Sequence, residues 1–172
     1  MSWEQFAEDC GKIQILNNGL KAKQMFISQY KNNIVQWEGI YLYQKERTVQ
    51  AIVSLEIVEV NERLIFLKMN PSETYGDIAD ISLKYDNKMM NNTMQEKWEN
   101  LSKTPVGTIL KFNASFLNLG DDYHFHELRL HGLEITNNTI KIEDIPTIQN
   151  KSKPRKNLLR KSLPKNNTTN IL

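Results

Sequence analysis

Residues 34–46, IVQWEGIYLYQKE, are the stretch that decides the fold. By the two-residue period of a β-strand, one face of this stretch carries Val35, Trp37, Tyr41 and Tyr43. Gly39 interrupts the apolar run, and such a glycine is typical of a bulge or a sharp bend, where a Cβ would clash with a neighbouring strand. The pattern predicts a long, bent first strand that pairs with other strands at both of its ends.

Hydrophobic periodicity predicts the order helix, helix, three or four strands, helix, two strands around this element. The predicted helices cover residues 2–10, 20–30 and 93–102. Beyond the first strand, the predicted strands cover residues 49–57, 64–69, 79–85, 106–116 and 123–135. Turns are expected at residues 61–63 and 118–122, and a polar, mobile linker is expected at residues 71–77.

A meander of strands, then a helix, then a closing hairpin is the connectivity of a five-stranded OB-type barrel. The expected fold is mostly β, with two short helices before the barrel and one helix between strands 3 and 4. Residues 1–31 form a helical segment packed on the barrel, residues 32–145 form the barrel, and residues 146–172 form a disordered basic tail. The alternative is an open antiparallel α+β sheet.

Charge is divided unevenly along the 172 residues. The first 150 residues hold 15 basic and 20 acidic residues, whereas the remainder holds seven basic residues and no acid. This asymmetry indicates an acidic globule with a basic appendage. The sequence shows no apolar run long enough for a membrane span and no secretory leader at its start. Cys10, the single cysteine, is expected to be a buried packing residue.

The sequence offers little that points to catalysis. His124 and His126 share a strand face, as two metal ligands would, but His131 points the other way. Four acids, expected to lie near one barrel mouth, are the paired-carboxylate candidates: Glu38, Asp80, Asp121 and Asp122. No nucleophile elbow, phosphate loop or cysteine-pair motif is present. We therefore expect a protein that is not an enzyme and that holds no cofactor or metal.

Nucleic-acid binding is the alternative function, because OB barrels bind single strands through aromatic residues on strands 2 and 3. Phe66 and Tyr85 are the candidate stacking residues, and the basic tail is a candidate phosphate contact. The acidic barrel segment would repel phosphate. Glycosylation sequons begin at Asn91, Asn100, Asn113, Asn137, Asn150, Asn166 and Asn167, in a chain rich in asparagine.

Four segments resemble, in order, the C-terminal domain of the wolframin family of multispanning endoplasmic-reticulum membrane proteins. The first is Trp3-x-x-Phe6-x-x-x-Cys10-Gly11, and the second is Val35-Gln36-Trp37-Glu38-Gly39. The third is Gly107-Thr108-Ile109-Leu110-Lys111-Phe112, and the last is the Gly120 hairpin followed by Phe125-His126-Glu127-Leu128. Together they extend over about residues 3–135.

The resemblance implies an OB fold on the lumenal side of the endoplasmic reticulum, with roles in calcium homeostasis and the unfolded-protein response. It implies no enzymatic chemistry and supplies no catalytic residue. This chain lacks that family's membrane helices and cytosolic repeats, so contact with a membrane would come only through parent segments missing here. We expect an interaction domain for a protein partner or a small ligand, with single-stranded nucleic acid as the alternative.

Overall fold

The computed structural model describes residues 1–85 and 92–148. Within them the strands are β1 Ile34–Val53, β2 Glu56–Lys68, β3 Ile81–Tyr85, β4 Thr108–Asn118 and β5 His126–Thr139. The α-helices are α1 Trp3–Cys10, α2 Lys12–Met25 and α3 Asn92–Leu101. A π-helical turn, Phe26–Tyr30, continues α2, and a 3-10 turn, Ile142–Asp144, follows β5. No described helix is long and apolar enough to cross a membrane.

The five strands close into a ring in the order β1-β2-β3-β5-β4, with β4 pairing back onto β1. Every neighbouring pair is antiparallel except β3 and β5, so the sheet is mixed. The prediction of a mostly β chain with five strands and a helix between strands 3 and 4 is confirmed. The open sheet is excluded, because the β1–β4 pairing leaves no break in the ring.

β1 changes partner at Gly39 and Ile40, as the sequence predicts. Its first part pairs with β4 as far as Ile40, and from Ile40 onward it pairs with β2. A Cβ added at Gly39 would lie 2.9 Å from Leu67 Cδ1 and 3.3 Å from Met69 Sδ. Glycine therefore lets β1 pass close against the side chains of β2 where the sheet bends.

Replacing Gly39 with valine is expected to lower the free energy of unfolding by about 1–3 kcal/mol, because the added carbons overlap Leu67. Urea unfolding measures the change. Gly19→Ala is the control, since the Cβ of its alanine would meet only Ile15 Cγ2, at 4.0 Å, and it should not destabilise the protein. A Gly39→Val variant as stable as the parent would refute the close approach.

The β1–β2 hairpin differs from the prediction. Residues 61–63 continue β2 and form no turn; the turn lies instead at Ser54 and Leu55, which both have positive φ, at 52° and 70°. Serine and leucine seldom adopt a positive φ, so the residue types at these positions do not predict a turn. Pairs such as Val49–Val60 and Ala51–Val58 extend the ladder to it. We call residues 47–62 the arm.

Because of a register shift between Tyr41 and Tyr43, the side chains of β1 after the shift do not lie on the predicted face. Val35, Trp37 and Tyr41 share one face, as predicted, and this face is buried inside the ring. Tyr43 instead pairs with Phe66 and lies on the outer face, where it is 45% exposed. The extra residue at this shift reverses the side on which the following side chains lie.

Helix α1 docks into the main core by the predicted stripe. The buried residues on this stripe are Trp3, Phe6, Ala7 and Cys10. Ser2 Oγ accepts a hydrogen bond from the Gln5 N–H at 3.2 Å, as the predicted capping box requires. Helical structure resumes at Lys12, directly after Gly11, but α2 is kinked at Asn18, where φ is −157° and ψ is 78°. Asn18 Oδ1 accepts a hydrogen bond from the Lys21 N–H at 3.1 Å, so the part of α2 after the kink begins close to the predicted start at residue 20.

Cys10 is expected to resist alkylation in the folded protein. Burial, together with the nearby carboxylates of Asp9 and Glu73, raises the pKa of its thiol to about 12. The thiolate is the reactive form, and it is scarce far below that pKa. A thiol reagent at about pH 8 should therefore label the protein only in denaturant. Rapid labelling of the folded protein, with no unfolding in circular dichroism, would contradict this burial.

Residues 146–148 do not begin a separate tail. Ser72 N–H donates to Pro146 O at 2.8 Å, and Ile148 N–H donates to Ser72 O at 2.7 Å. The described chain is therefore attached to the body as far as residue 148, beyond the boundary predicted at 145. The rest of the predicted disordered tail, residues 149–172, lies outside the described residues.

Candidate binding groove

A groove of about 570 Å³ lies on the outer face of β2, β3 and β5. Its floor and one wall come from Leu64, Phe66 and Ser82. The opposite wall is the loop between β4 and β5, which supplies Leu119, Asp121, Tyr123, His124 and Phe125. Arg47, Asn118 and Glu127 stand at its rim. We call it the outer groove.

Aromatic rings give the outer groove and its margin an apolar character. Tyr43 stacks on Phe66 with ring centroids 4.5 Å apart, and the Phe125 ring meets Phe66 edge-on at 5.3 Å. Tyr43 is half-exposed, and Tyr123 is 91% exposed. Phe66 is thereby held rigidly as a floor, while the two tyrosines are accessible to a ligand.

The β4–β5 loop is folded around the Asp121 carboxylate. Asp121 Oδ1 accepts hydrogen bonds from the backbone N–H groups of Tyr123 and His124, each at 2.9 Å. It also lies 2.7 Å from His124 Nδ1. These contacts, the backbone bond from Tyr123 first, lower the pKa of Asp121. The resulting turn holds Tyr123 out into solvent at the edge of the groove.

Charges at the rim are paired. Arg47 lies 2.8 Å from Glu62, and Lys84 contacts the other oxygen of the same carboxylate. Burial alone would raise the pKa of Glu62, but the hydrogen bonds and charges of Lys84 and Arg47 outweigh it, so that the pKa is lowered. Across the groove, Asn118 Nδ2 donates to Glu127 at 2.7 Å. The groove thus combines an apolar floor with a polar rim whose charges are satisfied, as small-ligand and peptide sites do.

The two residues singled out from the sequence lie on opposite sides of the sheet. Phe66 is at the floor of the outer groove, but its ring is covered by Tyr43 and Phe125 and it is 6% exposed. Tyr85 is 2% exposed inside the ring, where it packs edge-on against Trp98. The prediction that Tyr85 stacks a ligand is therefore wrong, because its side chain belongs to the core.

A second candidate is a buried pair of ionisable groups. Glu73 Oε2 lies 2.8 Å from His126 Nε2, and both side chains are almost completely buried. His126 Nδ1 accepts a hydrogen bond from the Gly120 N–H at 2.9 Å, so the ring proton is on Nε2 and is donated to Glu73. Glu73 Oε1 also accepts from the Lys12 N–H at 2.8 Å. With both ring nitrogens engaged, His126 has no lone pair for a substrate proton, and the pair is structural.

Residues 71–74 of the predicted mobile linker, 71–77, are instead packed into the body of the protein, whereas residues 75–77 are exposed. The Asp80 carboxylate is fully buried and accepts from the N–H groups of Met69, at 2.7 Å, and Glu73, at 2.8 Å. Lys68 Nζ donates to Thr74 O at 2.9 Å and to Ile78 O at 3.2 Å. The polar residues of the segment satisfy these buried charges, which is why its composition resembles that of a solvated loop.

The candidate metal ligands and catalytic acids do not converge. His124 is exposed beside Asp121, whereas His126 is buried; they do not share a face, because β5 begins only at His126. His131 Nε2 lies 2.9 Å from Ser115 Oγ elsewhere on β5. Glu38 pairs with Lys111 on the outer surface, while Asp80 is buried and Asp121 holds its loop. Within residues 1–85 and 92–148, no group of three His, Cys, Asp or Glu residues could hold a metal ion.

Sequence reasoning did not single out Tyr43 or Tyr123. The strand period places Tyr43 on the same face as Trp37 and Tyr41, since the register shift in β1 leaves no mark on the alternation of residues. Tyr123 was assigned to the return strand, although Asp121 and Asp122 before it are typical of a turn. The position of Tyr123 directly after these two turn-forming acids is the one feature of the sequence that could have predicted its exposure.

No protein-family model matches the chain, and no curated protein matches it significantly.

Proposed function

We propose that this chain is a non-enzymatic, wolframin-like OB-fold interaction domain that binds a protein partner or a small ligand through the outer groove. The strand order β1-β2-β3-β5-β4, closed by β1–β4 pairing, supports the OB assignment. OB folds bind their ligands on the face of strands 2 and 3, between the β1–β2 and β4–β5 loops. The outer groove has this position, since it lies on β2 and β3 beside the β4–β5 loop.

The packing of the motif residues supports the wolframin resemblance. Phe6 lies 5.8 Å from Trp37 and 5.0 Å from His126, measured between ring centroids, and Trp3 lies 5.6 Å from Trp37. Residues from three of the four resembling segments therefore meet in one buried cluster. Such residues specify a scaffold, so the resemblance concerns the fold and leaves the ligand to the groove.

The observation that carries the proposed binding role is the exposed aromatic surface at the groove. Tyr123 is held almost entirely in solvent by the Asp121 turn, and Tyr43 is half-exposed on the rigid Phe66. Exposed tyrosines beside an apolar floor are the usual anchors of interaction sites. We propose that the two tyrosines contact the partner and that Arg47 and Glu127 orient it through polar contacts at the rim.

A nucleic-acid role is disfavoured on the same surface. Its two stacking candidates provide no accessible ring face, because Tyr85 is buried and Phe66 is covered. Asp121 and Glu127 in the groove would also repel a phosphate backbone.

The groove can be tested with the fluorescent probe 1-anilinonaphthalene-8-sulfonate. The folded chain is expected to enhance its fluorescence, and Tyr123→Ala is expected to raise the dissociation constant by about tenfold, as loss of one aromatic contact predicts. Tyr75→Ala is the matched control, because Tyr75 is also largely exposed, at 74%, but is not among the residues that line the groove. Equal binding by the two variants would contradict the proposed site.

We further propose that the domain lies in the lumen of the endoplasmic reticulum, with the calcium and stress-response roles that the resemblance implies. Asn137 and Asn100 begin sequons at exposed positions, so a lumenal protein should carry a glycan at one or both. Endoglycosidase digestion of the full-length protein from cells should shift its mobility, and Asn100→Gln with Asn137→Gln should reduce the shift. An unglycosylated protein residing in the cytosol would contradict this location.

A further inference from the structure

The arm extends away from the ring and exposes apolar side chains that the core does not use. Within the described residues its strands pair with each other, and β3 reaches only as far as Arg63. One side of the arm carries the partly exposed Val49, Ala51, Val58 and Val60, and its end and other side carry the exposed Leu55, Ile52 and Ile57. An exposed apolar extension of this kind marks an interaction surface.

One face of the arm is continuous with the outer face of the ring. The cross-strand pairs Val49–Val60 and Ala51–Val58 lie on the same side as Lys45–Leu64, because residues two apart share a face. All four side chains of the two apolar pairs are partly exposed. They form a small, flat apolar surface, which we call the arm face. Ile52 and Ile57 lie on the opposite side.

Charge is distributed unequally along the arm face. Glu56 lies at the tip, next to the turn, and is exposed. Lys45 and Arg47 lie at the base, where Glu62 is already paired with both Arg47 and Lys84. The tip is therefore acidic and the base is basic, with the apolar pairs between them.

We propose that the arm face packs against the arm face of a second copy of this chain, related by a two-fold axis at the level of the Val49–Val60 pair. The axis lies in the plane between the two copies and runs perpendicular to the strands of the arm. The two arms therefore run in opposite directions, and the tip of each copy lies over the base of the other. Glu56 and Leu64 are each four residues from Val60, about 13 Å along the strand. Glu56 of one copy thus comes within reach of Lys45 of the second copy.

The arm face suits this occupant better than others. Two twisted ribbons can pack face to face about 10 Å apart, and a two-fold contact requires a surface that is complementary to itself. An apolar centre between ends of opposite charge meets that requirement when the copies run in opposite directions. An anionic membrane or a nucleic acid would instead be repelled by Glu56 at the tip.

The mass of the full chain in solution tests the proposal. Sedimentation equilibrium is expected to show a concentration-dependent species of twice the chain mass. Val60→Glu should raise its dissociation constant by at least about tenfold, since it places two like charges at the two-fold axis. Ile52→Glu is the matched control: it makes the same kind of change on the opposite side of the arm and should leave the dimer intact. Circular dichroism would verify that both variants fold.

A charge exchange identifies the contact. Lys45→Glu and Glu56→Lys should each weaken the dimer, and the double variant should restore it. Within one chain these residues are too far apart along the arm to pair, so restoration must come from contact between copies. A monomeric parent, a dimer unaffected by Val60→Glu, or a double variant weaker than both single variants would overturn the proposal. Because the assay uses no ligand, its failure leaves the groove and its probe test untouched.

Discussion

Glu73→Ala is expected to lower the free energy of unfolding by about 2–5 kcal/mol, because it leaves two hydrogen-bond donors without their acceptor, and an unsatisfied buried donor costs about 1–3 kcal/mol. The change leaves His126 Nε2–H without its acceptor, and it also frees the Lys12 N–H at the start of α2. The His126 side chain is fully buried, so water does not readily replace the lost acceptor there. Urea unfolding followed by tryptophan fluorescence gives the midpoint and the slope.

Two variants make this result interpretable. Glu73→Gln keeps one acceptor oxygen and should fall between the parent and the alanine variant. Glu8→Ala removes an exposed carboxylate on α1 and should change the free energy of unfolding by less than about 0.5 kcal/mol. A loss below about 1 kcal/mol for Glu73→Ala would mean that water replaces the carboxylate and that the pair does not fix the loop.

Phe6→Ala is expected to cost about 3–5 kcal/mol, the range for removing a fully buried phenylalanine. Its ring stacks on Phe116 at 4.7 Å and meets Tyr30 edge-on at 5.1 Å. The side chain therefore connects α1, the π-helical turn and β4. Thermal unfolding measured by far-ultraviolet and near-ultraviolet circular dichroism should show one coincident transition at a lower midpoint.

The exposed Leu16 supplies the control, since Leu16→Ala removes a leucine from α2 without opening a cavity. It should shift the midpoint little. If Phe6→Ala instead separated the melting of the helices from that of the sheet, the N-terminal segment would be an appendage and not part of the core.

The elements that sequence reasoning predicted are those whose signals are local. Gly39 inside an apolar run predicted the change of partner in β1, and the stripe from Trp3 to Cys10 predicted the buried face of α1. The strand boundaries in the arm were predicted wrongly, because the turn is formed by Ser54 and Leu55. Both have positive φ, although neither is a glycine or an asparagine, the residues that usually adopt it. This turn is imposed by cross-strand pairing, which a single sequence does not display.

The candidate site was predicted less well, since it depends on distant segments meeting. Phe66 was predicted to stack a ligand, but its ring is covered by Tyr43, and the register shift that brings Tyr43 onto it is a property of the β1–β2 pairing. The partners of Asp80 and Glu73 lie in other segments, so the loop they fix was interpreted as a linker. Tyr85 follows the strand period faithfully, and it points inward because Leu83 and Ile81 do.

The most direct test of the central claim, that the outer groove is the interaction surface of a lumenal domain, is site-specific photo-crosslinking in cells. A photoreactive phenylalanine analogue would replace Tyr123 in the groove wall or, as the control, Tyr75, which is also largely exposed but lies outside the groove. The proposal predicts a discrete adduct from position 123 that is absent from position 75 and lies in the endoplasmic-reticulum fraction. Equal labelling from both positions, or none from position 123, would contradict it.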